Sequence, residues 1–298
     1  MTMHADEIDV SPELVARLVA GQFPQWAGLP LRPVPTAGTV NALYRLGERM
    51  VVRLPRVAWG ADTELAERRW LRQLAPYLPV AIPTPIETGE PTDEYPWPWL
   101  VLDWLDGTNP IPGQLTAPVE LAAGLAELVR AFWRIDLPDA PRAYRGGPLD
   151  TQDPHVRQAI AELTGTIDTD AAGAAWAAAL AAPAWTGPPT WVHADLMPGN
   201  LLTTVDGRLS GVIDFATVGV GDPACDLIVA WNLLPAGVRA DFRAAVGADD
   251  ATWARARGRA LAISLIALPY YRHTNPRFAA EVRYTINEIV ADHRQDVG

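Results

Sequence analysis

The chain contains no lysine. All 24 of its basic residues are arginine, so none of its chemistry can depend on a lysine ammonium group. Its single cysteine, Cys225, permits no internal disulfide bond, and its position is that of a small packed residue. The five histidines are scattered, with no two at ligand spacing, which argues against a zinc site. No apolar run approaches the length of a membrane span, so we expect no membrane partner.

Positive charge is also scarce. The 35 acidic residues outnumber the basic ones and give a net charge of −11, which argues against a nucleic-acid partner. Such a surface suits a cationic substrate, but an acidic enzyme with a neutral substrate would have the same composition. Residues 1–10 are polar and acidic, unlike a signal peptide, so we expect the protein in the cytoplasm. Nothing in the pattern indicates an oligomeric state.

The most informative stretch follows residue 190. Two short apolar runs flank a loop that holds His193, Asp195 and Asn200, and a third run ends on Asp214. The spacing His-x-Asp-x-x-x-x-Asn matches the protein-kinase catalytic loop, and Asp214 stands where the metal-binding Asp-Phe-Gly motif would begin. Moving a γ-phosphoryl group requires a carboxylate that orients the acceptor hydroxyl, together with oxygen ligands for Mg²⁺. The pattern therefore predicts Asp195 as the catalytic carboxylate, Asn200 and Asp214 as metal ligands, and His193 as a support for the loop.

Each of these residues also has a purely structural interpretation. Asp195 and Asn200 are common in turns and caps, and Asp214 could simply end a strand. Four matching residue types at matching spacings on a strand-loop-strand frame favour the catalytic interpretation. The connecting hairpin is predicted as strands over residues 201–204 and 209–213, with a turn at Asp206-Gly207.

The segment from Val192 to Leu227, which ends Gly-Asp-Pro-Ala-Cys-Asp-Leu, resembles the aminoglycoside phosphotransferase family of small-molecule kinases. That family combines a His-Gly-Asp-like loop, an Ile-Asp-Phe/Trp metal motif and a Gly-Asp-Pro-x-x-Asp-Leu helix start. Ala194 and Ala216 stand where glycine is usual. The resemblance runs from about Thr36 onwards and implies an α+β, bilobal, protein-kinase-like fold. A nucleotide-binding lobe with a small β-sheet is expected over residues 1–104, and a larger, mainly helical catalytic and substrate-binding lobe over residues 105–298.

The resemblance implies a phosphate clamp in the N-terminal lobe. Arg53 lies among apolar residues of a strand predicted over 50–54, at the position of the lysine that contacts nucleotide phosphates in kinases. An arginine can do this through its fork of donors. Glu64 and Glu67 lie on a helix predicted over 62–74, and the family pattern of a Glu before an aromatic-Leu pair favours Glu67 as the partner. The alternatives are an edge-strand arginine that reaches water and a solvated glutamate.

Two loops supply the remaining candidates for nucleotide binding. In a kinase-like lobe, the turn before the first hairpin strand covers the phosphates, and the hinge that follows the strand at 99–102 grips the nucleobase. The residues concerned are Gly38, Thr39, Asn41, Asp103, Trp104 and Leu105. An ordinary loop or turn would use the same residue types.

Two aspartates after the metal motif are predicted as structural braces. Asp222 precedes Pro223 in the pattern of a helix cap, which predicts a helix over residues 224–234. Asp226 lies one turn further on, among apolar neighbours. The resemblance implies that it supports the catalytic loop, and the alternative is a partly exposed helix residue.

The prediction is therefore a Mg²⁺-dependent kinase that moves the γ-phosphoryl group of ATP or GTP to a hydroxyl of a small molecule. By resemblance the acceptor is an antibiotic of the aminoglycoside type. One alternative is a metabolic kinase acting on an amino alcohol or a sugar. The other is a nucleotide-binding protein without turnover, an interpretation that the absence of the phosphate-contacting lysine favours. A protein kinase is disfavoured, because there is no recognisable activation segment between Phe215 and Asp222.

Overall fold

The structure is a computed structural model that describes residues 8–35 and 40–297. The chain divides into two compact units. Unit 1 comprises Met1–Pro76 and Ala81–Asp106, and unit 2 comprises Tyr77–Val80 and Gly107–Gly298. The assignment of residues 1–104 and 105–298 to two lobes stays a prediction. The α+β fold class is confirmed, because an antiparallel sheet lies in the N-terminal part and helices dominate the C-terminal part.

Unit 1 is built around a five-stranded antiparallel sheet. Its helices are α1 (Pro12–Gln22) and α2 (Ala58–Leu74). Its strands are β1 (Leu31–Pro33), β2 (Asn41–Leu46), β3 (Met50–Pro55), β4 (Pro85–Gly89) and β5 (Trp99–Asp103). The strand order is β1-β2-β3-β5-β4, so β3 lies in the middle of the sheet.

The core of unit 1 follows from its local sequence signals. Ser11 caps α1 by accepting a hydrogen bond from the amide of Leu14 at 3.3 Å, as expected for serine before a helix. The predicted hairpin β2-β3 is confirmed. Val52 of β3 and Trp99 of β5 are fully buried. A Cβ atom at Gly89 would lie 1.8 Å from the Trp99 indole, so only glycine lets this ring pack against β4.

Unit 2 is mainly helical, with short strands at the predicted catalytic stretch. Its helices are α3 (Pro118–Trp133), α4 (Asp153–Glu162), α5 (Thr169–Leu180), α6 (Val229–Asn232), α7 (Ala236–Val246), α8 (Asp250–Thr274) and α9 (Pro276–Val297). Its strands are β6 (Thr190–Val192), β7 (Leu201–Thr203), β8 (Leu209–Val212) and β9 (Gly219–Gly221). Strands β7 and β8 form the predicted hairpin, and β6 pairs with β9.

The helix predicted over 224–234 differs in type. Residues Pro223–Ile228 form a 3₁₀ helix, and the α-helix α6 covers only Val229–Asn232. Tight 3₁₀ turns are common at the start of α-helices, and every residue of this 3₁₀ helix is buried. Asp222 does cap the segment, since its carboxylate accepts a hydrogen bond from the amide of Ala224 at 3.0 Å.

Helix α8 contains Pro269, a residue type that usually ends or kinks a helix. Helix α8 continues through it to Thr274. Proline removes one intrahelical hydrogen bond, but α8 packs along α9 and stays helical through it. Across the described ranges, no helix combines the length and the apolar character that crossing a membrane requires.

Candidate active site

The predicted catalytic carboxylate lies in the loop between β6 and β7 and is held from two sides. The side-chain amide of Asn200 donates to Asp195 Oδ2 at 3.0 Å and to the Asp195 backbone carbonyl at 2.9 Å. Arg145 donates from Nη1 to Asp195 Oδ1. The Asp195 side chain remains one-fifth exposed, so it is fixed in orientation yet accessible from solvent.

The two predicted metal ligands are tied together by the β7-β8 hairpin. Leu201 pairs with Val212 in the ladder, and the amide of Ile213 donates to the Asn200 carbonyl at 2.9 Å. This bond fixes the backbone between Asn200 and the residue just before Asp214. The side-chain amide nitrogen of Asn200 faces Asp195. The Oδ1 atom of Asn200 is therefore the side-chain atom that can coordinate a cation.

An oxygen pair of this kind fits magnesium. Mg²⁺ is usually bound by one or two protein oxygen ligands together with substrate phosphates, rather than by a closed protein cage. The described residues contain no group of three or more His, Cys, Asp or Glu that could form such a cage. The donor set of Asn200 and Asp214 is therefore of the type that would share the ion with a nucleotide.

Two residues of this region have left-handed backbone conformations. Ala194 has φ +65° and Asp214 has φ +64°. Ala194 stands where the family that this chain resembles usually has glycine. A residue with a side chain costs about 1–2 kcal/mol in the left-handed region, so this conformation favours glycine at the position. Ala216 is not among the described non-glycine residues with positive φ, so the loop places no such demand there.

Asp226 holds the left-handed turn from below. Its carboxylate is fully buried and accepts the amides of His193 and Ala194, each at 2.8 Å. Burial raises the pKa of Asp226 to about 7, although the two amide donors act in the opposite direction. The carboxylate thus satisfies two backbone groups directly next to Asp195. These two hydrogen bonds are the contacts that a residue supporting this loop would make.

His193 is wholly buried and contributes packing. Its ring lies edge-on against Phe215, with ring centroids 4.8 Å apart, and is also edge-on to Phe132 of α3, with centroids 6.3 Å apart. Its carbonyl accepts a hydrogen bond from the Thr217 hydroxyl at 2.8 Å. These contacts suit a residue that supports the loop, and they keep the imidazole away from solvent.

Arg145 is the site residue that sequence reasoning missed. It lies in an irregular loop and contacts both Asp195 and the carbonyl of Ala194. This loop passes very close to β9 at Gly146 and Gly221. A Cβ atom on Gly221 would lie 2.6 Å from the Gly146 Cα, so glycine is needed at Gly221 for this approach. The Gly146-Gly147 pair is the only local signal of this close approach, and it does not identify the arginine beside it.

Asp222 is the centre of a buried ion cluster beneath the site. Arg255 donates from Nε to Asp222 Oδ2 at 2.9 Å, and Arg259 donates from Nη2 to the same oxygen at 2.9 Å. Burial opposes ionisation of this carboxyl, but the two guanidinium groups hold its pKa below the ordinary value. Arg259 also donates to the carbonyls of Arg145 and Gly147, so the cluster fixes the loop that carries Arg145.

In unit 1, Arg53 and Glu67 form a buried ion pair. Arg53 Nη1 donates to Glu67 Oε1 at 2.8 Å, and Nη2 donates to Oε2. The side chains are 7% and 1% exposed, respectively. Arg53 lies on central strand β3 between Leu43 of β2 and Leu100 of β5, and Glu67 lies on α2. A surface arginine that reaches water is therefore the wrong interpretation of this position.

The candidate nucleotide loop is described only in part. Gly38 and Thr39 lie outside the described residues. Asn41 begins β2, and its Oδ1 atom is buried without a hydrogen-bond partner among the described residues. A buried, unsatisfied acceptor of this kind is uncommon and marks Asn41 as a residue to test.

The predicted hinge follows β5. The amide of Asp103 donates to Thr84, and the amide of Trp104 donates to Arg49, so both are already used within unit 1. Of the three hinge amides, that of Leu105 is the one with no bond to another described backbone group. The backbone amide of Leu105 is therefore the candidate in this segment for donating a hydrogen bond to the nucleobase.

The sequence model of the phosphotransferase enzyme family matches residues 31–261, well over half of the chain. A comparison with curated proteins gave no significant match.

Among solved structures, the GDP complex of wild-type aminoglycoside 2'-phosphotransferase-IIIa is similar with a TM-score of 0.72 and 19% identity, and the match covers 95% of this chain and 100% of that one. A macrolide 2'-phosphotransferase from Brachybacterium faecium has a TM-score of 0.61 and 21% identity, with 93% and 97% covered. At these identities the structures show a shared fold, which confirms the predicted kinase-like architecture.

Proposed function

Because this chain belongs to the phosphotransferase enzyme family, we propose that it transfers the γ-phosphoryl group of ATP or GTP to a hydroxyl group of an antibiotic-type small molecule. The observation that carries this proposal is the linkage between the three polar residues of unit 2. Asn200 bonds to the Asp195 carboxylate through its side chain and to the residue preceding Asp214 through its backbone. The proposed catalytic carboxylate, Asn200 and the backbone next to Asp214 are thereby linked by hydrogen bonds.

In the proposed reaction, Asp195 orients the acceptor hydroxyl and takes its proton. The acceptor oxygen forms a bond to the γ-phosphorus, and the bond from that phosphorus to the β–γ bridging oxygen breaks. The nucleoside diphosphate leaves with the electron pair of the broken bond. Arg145 and Asn200 keep the Asp195 carboxylate oriented, and Asp226 holds the backbone turn that precedes it.

Asn200 and Asp214 are the residues that would hold Mg²⁺. When bound, the ion neutralises charge on the phosphate oxygens during transfer. In unit 1, the proposed phosphate contact is Arg53, whose guanidinium is oriented by Glu67. Leu105 and Asn41 are the proposed nucleotide contacts at the hinge and at the start of β2, with Gly38 and Thr39 as further candidates.

The similar structures guide the choice of donor and acceptor. One is a GDP and kanamycin complex, another is ADP-bound, and others are macrolide 2'-phosphotransferases. Aminoglycosides and macrolides are therefore the acceptors to test first, with both ATP and GTP. Since the donor is a nucleoside triphosphate, we also propose the cytoplasm as the place of action. A metabolic kinase for an amino alcohol or sugar remains the second candidate, because a fold does not define a substrate.

Replacing either predicted metal ligand should change the metal dependence of turnover. For Asn200→Ala and Asp214→Ala, we expect the Mg²⁺ concentration at half-maximal turnover to rise roughly 10–100-fold or more, the loss typical even of residues that only support a metal ligand. The measurement is acceptor-dependent release of nucleoside diphosphate as a function of Mg²⁺ concentration.

The matched control is Asp170→Ala, which removes an exposed carboxylate from the first turn of α5. It should leave the Mg²⁺ dependence unchanged. Unaltered Mg²⁺ dependence in both ligand variants would contradict the assignment of Asn200 and Asp214.

A further inference from the structure

A cavity of about 620 Å³ opens beside Asp195, entirely within unit 2. Arg145 and Ala194 line it, and both adjoin Asp195 through the contacts described above. Helix α8 and the start of α9 form much of the remaining wall. The volume lies within the range of sites that take drug-sized molecules. The position and size of the cavity make it the candidate site for the acceptor.

The part of the wall formed by α8 and the start of α9 is apolar and aromatic, whereas Thr151 and Gln152 add uncharged polar groups elsewhere. Ile263, Ile266, Tyr270, Tyr271 and Phe278 contribute to it. Ile266 and Tyr270 also belong to the large apolar side chains that stay exposed, at 37% and 45%. Clustered exposed apolar surface around a concave site is typical of a ligand-binding surface, because covering it removes apolar area from water.

Negative charge is missing from the same wall. The described residues that line the cavity include no aspartate or glutamate. Cys225 adds no charge, since burial raises the pKa of its thiol to about 12 and the thiol donates to the Arg145 carbonyl at 3.2 Å. The ionised groups that line it are Arg145 and Arg259, and each is engaged with an aspartate.

A polycationic acceptor would fit such a wall poorly. Each ammonium group placed against apolar residues loses hydration, and the loss is compensated only where a carboxylate or another acceptor replaces water. Asp195 adjoins the cavity through Arg145 and Ala194 but does not line it, and it already pairs with Arg145. An acceptor with several ammonium groups would find no carboxylate partner for most of them in the lining, whereas an apolar ring surface would cover Ile266 and Tyr270.

We propose that this cavity selects a hydroxyl-bearing acceptor with an apolar or aromatic ring surface and at most one positive charge. The inference rests on the proposed function, because it assigns the cavity to the acceptor of the Asp195 reaction. It narrows the acceptor class among antibiotic-type molecules from the chemistry of this chain's own residues.

The test is calorimetric binding to the full-length protein with three probes. Naphthyl glucoside is uncharged, erythromycin carries one ammonium group on an apolar ring, and kanamycin carries several ammonium groups. We expect at least one low-charge probe to bind roughly tenfold or more tightly than kanamycin. Ile266→Glu places a carboxylate in the wall, and it should weaken binding of that probe by about tenfold and strengthen binding of kanamycin.

The matched control is Ile111→Glu, which adds the same charge at an exposed isoleucine that does not line the cavity. It should leave both affinities unchanged. Kanamycin binding as tightly as the low-charge probes, or an Ile266→Glu variant that behaves like the control, would overturn the proposal. So would the absence of binding by both low-charge probes.

Binding of a probe does not depend on phosphoryl transfer. The binding measurement therefore tests the cavity assignment, and an assay for phosphorylated product tests the proposed reaction. Low-charge probes that bind with the expected dependence on residue 266, but yield no phosphorylated product with ATP or GTP, would support the cavity assignment and contradict the reaction. Phosphorylation of kanamycin alone would support the reaction and contradict the cavity assignment.

Discussion

Replacing Asp195 with alanine is expected to lower the turnover number for acceptor phosphorylation roughly 10²–10⁴-fold, the usual contribution of a positioned general base. The physical reason is that this carboxylate is held by Asn200 and Arg145 in one orientation and is still accessible. Asp195→Asn should be similarly impaired, since an amide cannot take the hydroxyl proton. Steady-state kinetics with a saturating nucleotide measure the effect.

The control for Asp195 is Asp206→Ala. Asp206 lies in the turn between β7 and β8, its side chain is 61% exposed, and it pairs only with nearby turn residues in the described contacts. Turnover should be unchanged in this variant. Nucleotide affinity should also persist in Asp195→Ala, because the residue is assigned to the acceptor. A fully active Asp195→Ala enzyme would exclude Asp195 as the base.

Removing one partner of the Arg53–Glu67 pair is expected to give the largest stability effect. Glu67→Met leaves a buried guanidinium without its carboxylate, which typically costs about 3–5 kcal/mol of unfolding free energy. The double variant Arg53→Met/Glu67→Met should recover most of that loss, because well-packed apolar residues often replace a buried ion pair at little cost. Urea unfolding measures both effects.

Nucleotide affinity separates the structural role of this pair from the proposed functional one. The double variant should fold but bind nucleotide weakly, since the phosphate contact is gone. A surface control is Glu94→Met, which breaks the exposed Arg17–Glu94 pair, with a hydrogen bond of 2.9 Å, and should leave the free energy of unfolding close to that of the wild type. A double variant with wild-type nucleotide affinity would contradict the role given to Arg53.

The catalytic loop could be predicted from sequence because its chemistry fixes residue types at short range. Asp195 and Asn200 are five residues apart, and the hairpin that brings Asp214 towards Asn200 has its own turn signal at Gly207, where φ is +84°. Arg53 could be singled out in the same way, since a cation within an apolar strand is unusual, and the structure then decided between a buried partner and an arginine that reaches water. In each case the signal lies within one element or between neighbours in the chain.

Contacts between residues distant in sequence could not be predicted in this way. Arg145 reaches Asp195 from a loop fifty positions earlier, and no periodic pattern relates the two. The cavity wall combines that loop with α8, which extends through Pro269 although proline usually ends or kinks a helix. Tertiary packing decided both features, and local propensity carries no information about them.

The central claim is tested most directly by following the γ-phosphate itself. Nucleotide labelled at the γ-phosphate is incubated with the protein, Mg²⁺ and a panel of aminoglycosides, macrolides and metabolic alcohols, and the label is then traced. We predict that the label appears on a hydroxyl of one acceptor class, in equal amount to the nucleoside diphosphate released, and that Asp195→Ala loses this transfer. Nucleotide that binds tightly but never passes its label to any acceptor would contradict the proposed reaction and favour a nucleotide-binding protein without turnover.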